Sequence, residues 1–161
     1  MTLGLSCIRV LICFGDFQTG RRVEFTALGV PSRCSCQKIG GCQAECGSAS
    51  GMSAAGLVTL AGGSLEEAIA AASMALQSSL GMICDPIANR VEAPCLGKNA
   101  MAAANALSSA NMALAGFDHL IPFDEVLAAM DQVGRSLPHA LRCTGLGGLS
   151  LTKTSRAIEE R

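Results

Sequence analysis

Cys84 and Cys95 stand at the two ends of a short polar stretch, CysAspProIleAlaAsnArgValGluAlaProCys. Thiolates are soft ligands, so two thiols held in a defined geometry suit metal chemistry. The geometry is restrained by Pro86 and Pro94. Each proline fixes its own φ and pushes the residue before it out of the helical region. Cys42 joins them, in GlyGlyCysGlnAlaGluCysGly, just before the preceding helical hairpin. Three thiolates from two inter-helix loops can hold a soft metal or an iron–sulfur cluster. The spacing matches neither a zinc ribbon nor a ferredoxin run, so no generic motif decides the metal. The alternative is three small, buried, inert thiols.

The elements that must position these thiols read as helices. From Gly47, Met52, Ala55, Leu57, Val58 and Leu60 mark an apolar face, and Gly62-Gly63 stops the helix. Ser64-Leu65-Glu66-Glu67 is a capping box. The helix after it is apolar almost all round, as a helix buried on several sides must be. Gly81 ends it just before Cys84. A third helix is expected from about Asn99 to Gly116. After a connector over 117–123, Asp124 and Glu125 put negative charge in the first turn of a fourth. That helix ends near Ser136, ahead of Pro138. The glycine-rich ThrGlyLeuGlyGlyLeuSer at 144–150 reads as a flexible end or as backbone lying close to a ligand. It lacks GxGxxG and GxxxxGK[ST], so no nucleotide site is assigned. The expectation is an all-α domain of four or five helices, with Cys42 and the 84–95 loop converging at one end.

Composition agrees. The 161 residues make one domain's worth, half hydrophobic, with five aromatic residues, all Phe. Ala and Gly dominate, which suits helices in close contact. The net charge is −1, with no basic tract, which argues against nucleic acid. Nine cysteines would suggest a disulfide scaffold in a short secreted chain. The N-terminal run carries Arg9 and lacks a small-residue cleavage site, and no uncharged apolar run is long enough to span a membrane. The reading is a cytoplasmic protein with reduced thiols and no membrane partner.

Residues 1–39 do not resemble the rest. Residues 7–14 read as a buried strand or a short helix, and the remainder shows no period of 3.6 or 2. The segment is read as atypical, disordered or non-native. Its Cys34-Ser35-Cys36 pair is a weak metal signal. The histidines are His119 and His139, and His139 reads as a residue packing the tail rather than one near the thiols.

Several rare local patterns occur together. GlyGlyCysGlnAlaGluCysGlySerAlaSer at 40–50, the 84–95 stretch, Lys98-Asn99-Ala100, and SerLeuProHisAlaLeuArg with ThrGlyLeuGlyGlyLeu at 136–149 resemble the iron–sulfur-dependent L-serine dehydratases. The resemblance is to the C-terminal half of their alpha subunit and covers about residues 40–161. It implies that Cys42, Cys84 and Cys95 hold a [4Fe–4S] cluster, and that Cys46 is not a ligand. It implies a lyase converting L-serine to pyruvate and ammonia without pyridoxal phosphate. The fourth iron would keep an open position and act as a Lewis acid on the serine hydroxyl. The implied partners are L-serine, a beta subunit or domain, and the N-terminal half of the alpha chain. No catalytic base is assigned. Cys143 stands where the family usually has an acidic residue. Two outcomes stay open: a cluster-bearing enzyme component that is inactive alone, and a degenerate fragment or thiolate metal-binding module.

Overall fold

The computed structural model describes residues 12–15, 22–25, 35–88, 90 and 93–161. Near the N-terminus, β1 (Ile12–Gly15) and β2 (Arg22–Phe25) pair antiparallel, Ile12 opposite Phe25 and Gly15 opposite Arg22. Of the region expected as strand or helix, residues 12–14 are strand and 7–11 lie outside the described residues. Cys34 also lies outside them.

Apart from loops and two isolated bridges, the rest of the described residues are helical. Among the described residues the helices are α1 (Ser35–Gly40), α2 (Cys46–Leu60), α3 (Leu65–Gln77), α4 (Cys95–Leu114), α5 (Phe123–Ser136) and α6 (Lys153–Glu159). The four expected helices are α2 to α5. The short α1 and α6 flank them, too brief to show a period in the sequence.

Local chemistry explains the boundaries. Glu67 N donates to Ser64 Oγ (3.2 Å), and Ser64 N donates to Glu67 Oε2 (2.6 Å), which completes the capping box. At the end of α2, Gly63 N donates to Val58 O and Gly62 N to Thr59 O. At the end of α4, Phe117 N donates to Met112 O and Gly116 N to Ala113 O. Both are Schellman closures, with a left-handed glycine taking up the last carbonyls. One boundary differs from expectation: α4 starts at Cys95, not near Asn99. Proline is tolerated at a helix start because its missing N–H would be unpaired there anyway. Pro94 therefore opens the helix, its carbonyl accepting from Lys98 N at 3.1 Å.

The core is built from small side chains. Ala54, Ala55 and Val58 of α2 meet Ala68, Ala71, Ala72 and Ala75 of α3 and Ala106, Ala110 and Ala113 of α4. Such contacts let backbones approach closely, and they leave little room for polar error. Each buried polar group is therefore used. Ser50 Oγ donates to Ala102 O (2.9 Å), and Asn105 Nδ2 donates to Ser50 Oγ and to Ala75 O, tying α2, α3 and α4 together. The connector before α5 is pinned to α3, where Ser73 Oγ donates to Ile121 O and Gln77 Nε2 to His119 O. Leu76, Val126 and Met130 then seat α5 against α3.

A core this tight should reject volume. Ala106→Leu, at a fully buried contact, should lower stability by about 1–3 kcal/mol or more. Ala104→Leu, two residues away on the exposed face, should change it by less than about 0.5 kcal/mol. Urea unfolding of the two variants checks the contrast.

Candidate functional site

Cys42 reaches the site through a close approach of two backbones. Gly41 has φ +71°, and a Cβ there would lie 2.7 Å from Met82 O. Only glycine lets the turn before Cys42 sit against the segment leading to Cys84. Gln43 N donates to Met82 O (3.1 Å), which locks that approach. The Gln43 side chain, fully buried, accepts from Gly81 N (2.9 Å) and donates to Met130 O (2.8 Å). One amide thus joins the Cys42 turn, the end of the α3 hairpin and α5.

Cys84 lies on an extended segment paired with the C-terminal tail. Cys84 N donates to Leu141 O, and Cys143 N donates to Cys84 O, both at 2.9 Å. Cys95 opens α4. The loop between them closes on itself, with Ile87 N donating to Ala93 O and Arg90 N to Ile87 O.

A buried ion pair holds this arrangement. Asp85 is 4% exposed, and its Oδ1 accepts from Lys98 Nζ at 2.6 Å. The same ammonium donates to Ile83 O at 2.7 Å. Asp85 Oδ2 accepts from Leu149 N (3.0 Å), and Ser150 Oγ donates to Pro86 O (2.8 Å). The glycine-rich tail is therefore backbone folded over a carboxylate. Gly148 has φ +62°, and a Cβ there would lie 2.7 Å from Asp85 Oδ2. Lys98, the one charged residue of α4, and Asn99 both serve the site. Asn99 accepts from the Cys46 thiol at 3.6 Å and donates to Cys95 O at 3.0 Å.

The expected thiols come together, with additions. Cys42, Cys46 and Cys84 are fully buried in one cluster, with Ala102 at its wall and Cys143 packed against it. The Cys84 thiol is hydrogen-bonded to those of Cys42 and Cys143. Cys95 is half-buried and close enough for its charge to feel Cys42 and Cys143. Cys143 is the member that sequence reasoning missed as a neighbour. It is remote in the chain and carries no spacing signal; its place comes from the backbone pairing at Cys84. Cys36 is a residue of α1, and His139 is exposed in the turn 139–141.

The electrostatics favour one thiolate. The hydrogen bond from Cys84 holds the Cys42 thiol below its ordinary range, outweighing burial, and Lys98 adds to the effect. Cys84 is pushed up, first by that same bond, then by burial. Burial and the neighbouring Cys42 raise Cys46 to about 11. Burial likewise raises Cys95. Burial pulls Lys98 down, but Asp85 and the thiols outweigh it, so the ammonium is held more firmly than usual. Among the described residues, no three His, Cys, Asp or Glu side chains surround a single metal-ion position. The all-thiol donor set is the kind that soft metals and iron–sulfur clusters take.

The ion pair makes a sharp prediction. Lys98→Met leaves Asp85 buried and unpaired, and should cost on the order of 3 kcal/mol. Adding Asp85→Asn should recover part of that loss. Urea unfolding of the single and double variants measures the coupling.

Comparison with known proteins agrees with this geometry. The family described as "Serine dehydratase alpha chain" matches residues 35–150. The "Probable L-serine dehydratase, alpha chain" of Bacillus subtilis (strain 168) is 52% identical over 122 residues, which are 76% of this chain and 41% of the relative. The "L-serine dehydratase, alpha chain" of Peptoniphilus asaccharolyticus is 56% identical over 119 residues, 74% of this chain and 41% of the relative. The "L-serine dehydratase 1" of Escherichia coli (strain K12) is 39% identical over 112 residues, 69% and 25% respectively. The chain thus spans 41% of the length of the first two relatives. The match takes in the Cys42 turn, the 84–95 loop, Lys98 and the glycine-rich tail: the chain belongs to the serine dehydratase alpha chain family.

Proposed function

We propose that residues 40–161 are the thiol-bearing part of an L-serine dehydratase, a lyase that converts L-serine to pyruvate and ammonia. Residues 1–39 are an atypical segment in this reading. The observation that carries it is the buried pair Cys42 and Cys84, with Cys95 at the start of α4 near enough for its charge to feel Cys42, in a chain of this family. These three hold a [4Fe–4S] cluster, and the donor set fits it: thiolates, walled by apolar side chains, beside a fixed ammonium.

When bound, the cluster supplies an electrophilic iron that polarises the hydroxyl to be lost. The remaining work belongs to the chain. Cys42 gives up its proton most readily of the set, and Cys84 and Cys95 release theirs on loading, so loading weakens as pH falls. Asp85 and Lys98 fix the loop that carries Cys84 against the helix that carries Cys95. Cys46 keeps its proton, turned toward Asn99. The chain works in the cytoplasm with a beta subunit or domain and the further alpha-chain length of its relatives, and alone it is inactive.

Cys143 favours a second reading. Its thiol adds to the set at Cys84, as suits a thiolate metal-binding module or a degenerate, non-catalytic fragment. The two readings separate in the activity assay below.

The ligand set has a direct test. After anaerobic loading with iron and sulfide, Cys84→Ser or Cys95→Ser should abolish the brown visible absorbance and the bound iron. Cys46→Ser should keep most of both. If Cys46→Ser alone bleaches the protein, the three-ligand assignment is wrong.

Activity should need the partners. A positioned base contributes about 10²–10⁴-fold, and orientation of the substrate about 7–11 kcal/mol. No base is assigned to this chain, so pyruvate release from L-serine should be undetectable with the loaded chain alone. It should appear when a beta subunit and the further alpha segment are supplied in trans. Turnover by the isolated chain refutes the component reading, and no turnover with every partner present supports the non-catalytic one.

A further inference from the structure

At Cys84 two segments of backbone meet. Cys84 N donates to Leu141 O and Cys143 N donates to Cys84 O, a short parallel bridge at the thiol cluster. The second of these bonds, at 2.9 Å, keeps the Cα atoms of Cys84 and Cys143 within about 6.8 Å, inside the span that a disulfide covers. The two thiols are hydrogen-bonded to each other. The segment that carries Cys143 is held from both sides. The Arg142 guanidinium donates to Leu137 O (2.8 Å) and Arg135 O (2.7 Å) at the end of α5, and Thr144 Oγ1 donates to Ala140 O (3.0 Å). Cys143 itself takes a left-handed backbone, φ +62°, which is uncommon for any residue but glycine. The thiols differ in access: Cys42 and Cys84 are fully buried, whereas Cys143 is half-buried.

We infer that Cys84 and Cys143 form a reversible disulfide that keeps the thiol site from taking up iron. The consequence for iron rests on the reading of Cys84 as a cluster ligand, since a sulfur bonded to Cys143 cannot also bind iron as a thiolate. The oxidant is a small-molecule disulfide, such as glutathione disulfide. The Cys143 thiolate attacks one of its sulfurs, and the other leaves as a thiolate that takes up the proton Cys143 has lost. The Cys84 sulfur, giving up its own proton, then attacks the Cys143 sulfur of the mixed disulfide. The second small thiol leaves with that proton. Cys84 and Cys143 are oxidised, and the small disulfide is reduced to its thiols. A dithiol reductant runs the exchange backwards. Cys42 also meets Cys84, but burial shields it, so the first encounter falls to the more accessible Cys143. In a reducing compartment such a pair serves as a switch rather than as a staple.

The experiment treats the full, iron-free chain with glutathione disulfide in the absence of oxygen, blocks the remaining thiols with N-ethylmaleimide, and cleaves after Lys, Arg and Glu. Cuts at Glu45, Glu66, Arg90, Lys98 and Arg142 place Cys42, Cys46, Cys84, Cys95 and Cys143 on separate peptides. Mass spectrometry should find the Cys84 peptide linked to the Cys143 peptide as the main cross-link. Uptake of iron and sulfide by the treated chain should fall by about tenfold or more, and return after dithiothreitol. Uptake by Cys143→Ser should be insensitive to the treatment. The inference is overturned if Cys84 is linked mainly to Cys42 or Cys95, if no cross-link forms, or if Cys143→Ser loses uptake on treatment as the wild type does. The wild-type cross-link is read without iron and without any variant. A chain that forms it, yet takes up no iron when fully reduced, supports the disulfide and refutes the cluster reading.

Discussion

One buried carboxylate, Asp85, holds together three pieces of chain that have no local reason to meet. Its two oxygens take an ammonium from the first turn of α4 and an amide from the C-terminal tail. Removing a carboxylate from water costs several kcal/mol, and this cost is offset only if the partners are close and complete. Lys98 and Leu149 meet that requirement, and Lys98 also donates a hydrogen bond to Ile83 O. The loop bearing Cys84 is therefore clamped on one side by the helix bearing Cys95 and on the other by the tail bearing Cys143. Satisfying the carboxylate sets the thiols in place.

The clamp works because the scaffold behind it is close-packed. Alanine, glycine and serine at the contacts of α2, α3 and α4 bring the starts of α2 and α4 near one another. Cys46 and Cys95 open α2 and α4, so the packing that brings these helices together also gathers their thiols. Small side chains bury little apolar area each, so polar ties contribute a larger share than in a leucine-rich bundle. Ser50, Asn105, Gln43 and Ser73 supply those ties, each bonded across elements. Every buried side-chain polar atom among the described residues has a partner, as a core with low dielectric requires.

The thiols share protons unequally. Burial alone would raise every one of them, because it penalises the charged form. Cys42 escapes because Cys84 donates to it and Lys98 stands nearby. The result is a thiol cluster in which Cys42 gives up its proton more readily than its neighbours. No helix among the described residues is long and apolar enough to cross a membrane.

Much of this was legible in the residues. The capping box at Ser64, the glycine stops after α2 and α4, and the acidic first turn of α5 each act within a few residues, so local sequence reveals them. The rare patterns around Cys42, in the 84–95 loop, at Lys98-Asn99-Ala100 and in 136–149 together carried the family. The start of α4 was misplaced by four residues because proline at a helix start and proline as a helix breaker look alike in sequence. The tertiary structure alone decided what Asp85, Lys98, Gln43 and Cys143 do. Asp85 looks like a loop acid and Lys98 like a surface lysine until the tail folds over them, and Cys143 looks like a departure from pattern until its amide pairs with Cys84. Capping depends on neighbours in sequence, whereas a buried charge or a shared proton depends on which distant segments exclude water together, and only the folded chain brings those segments into contact.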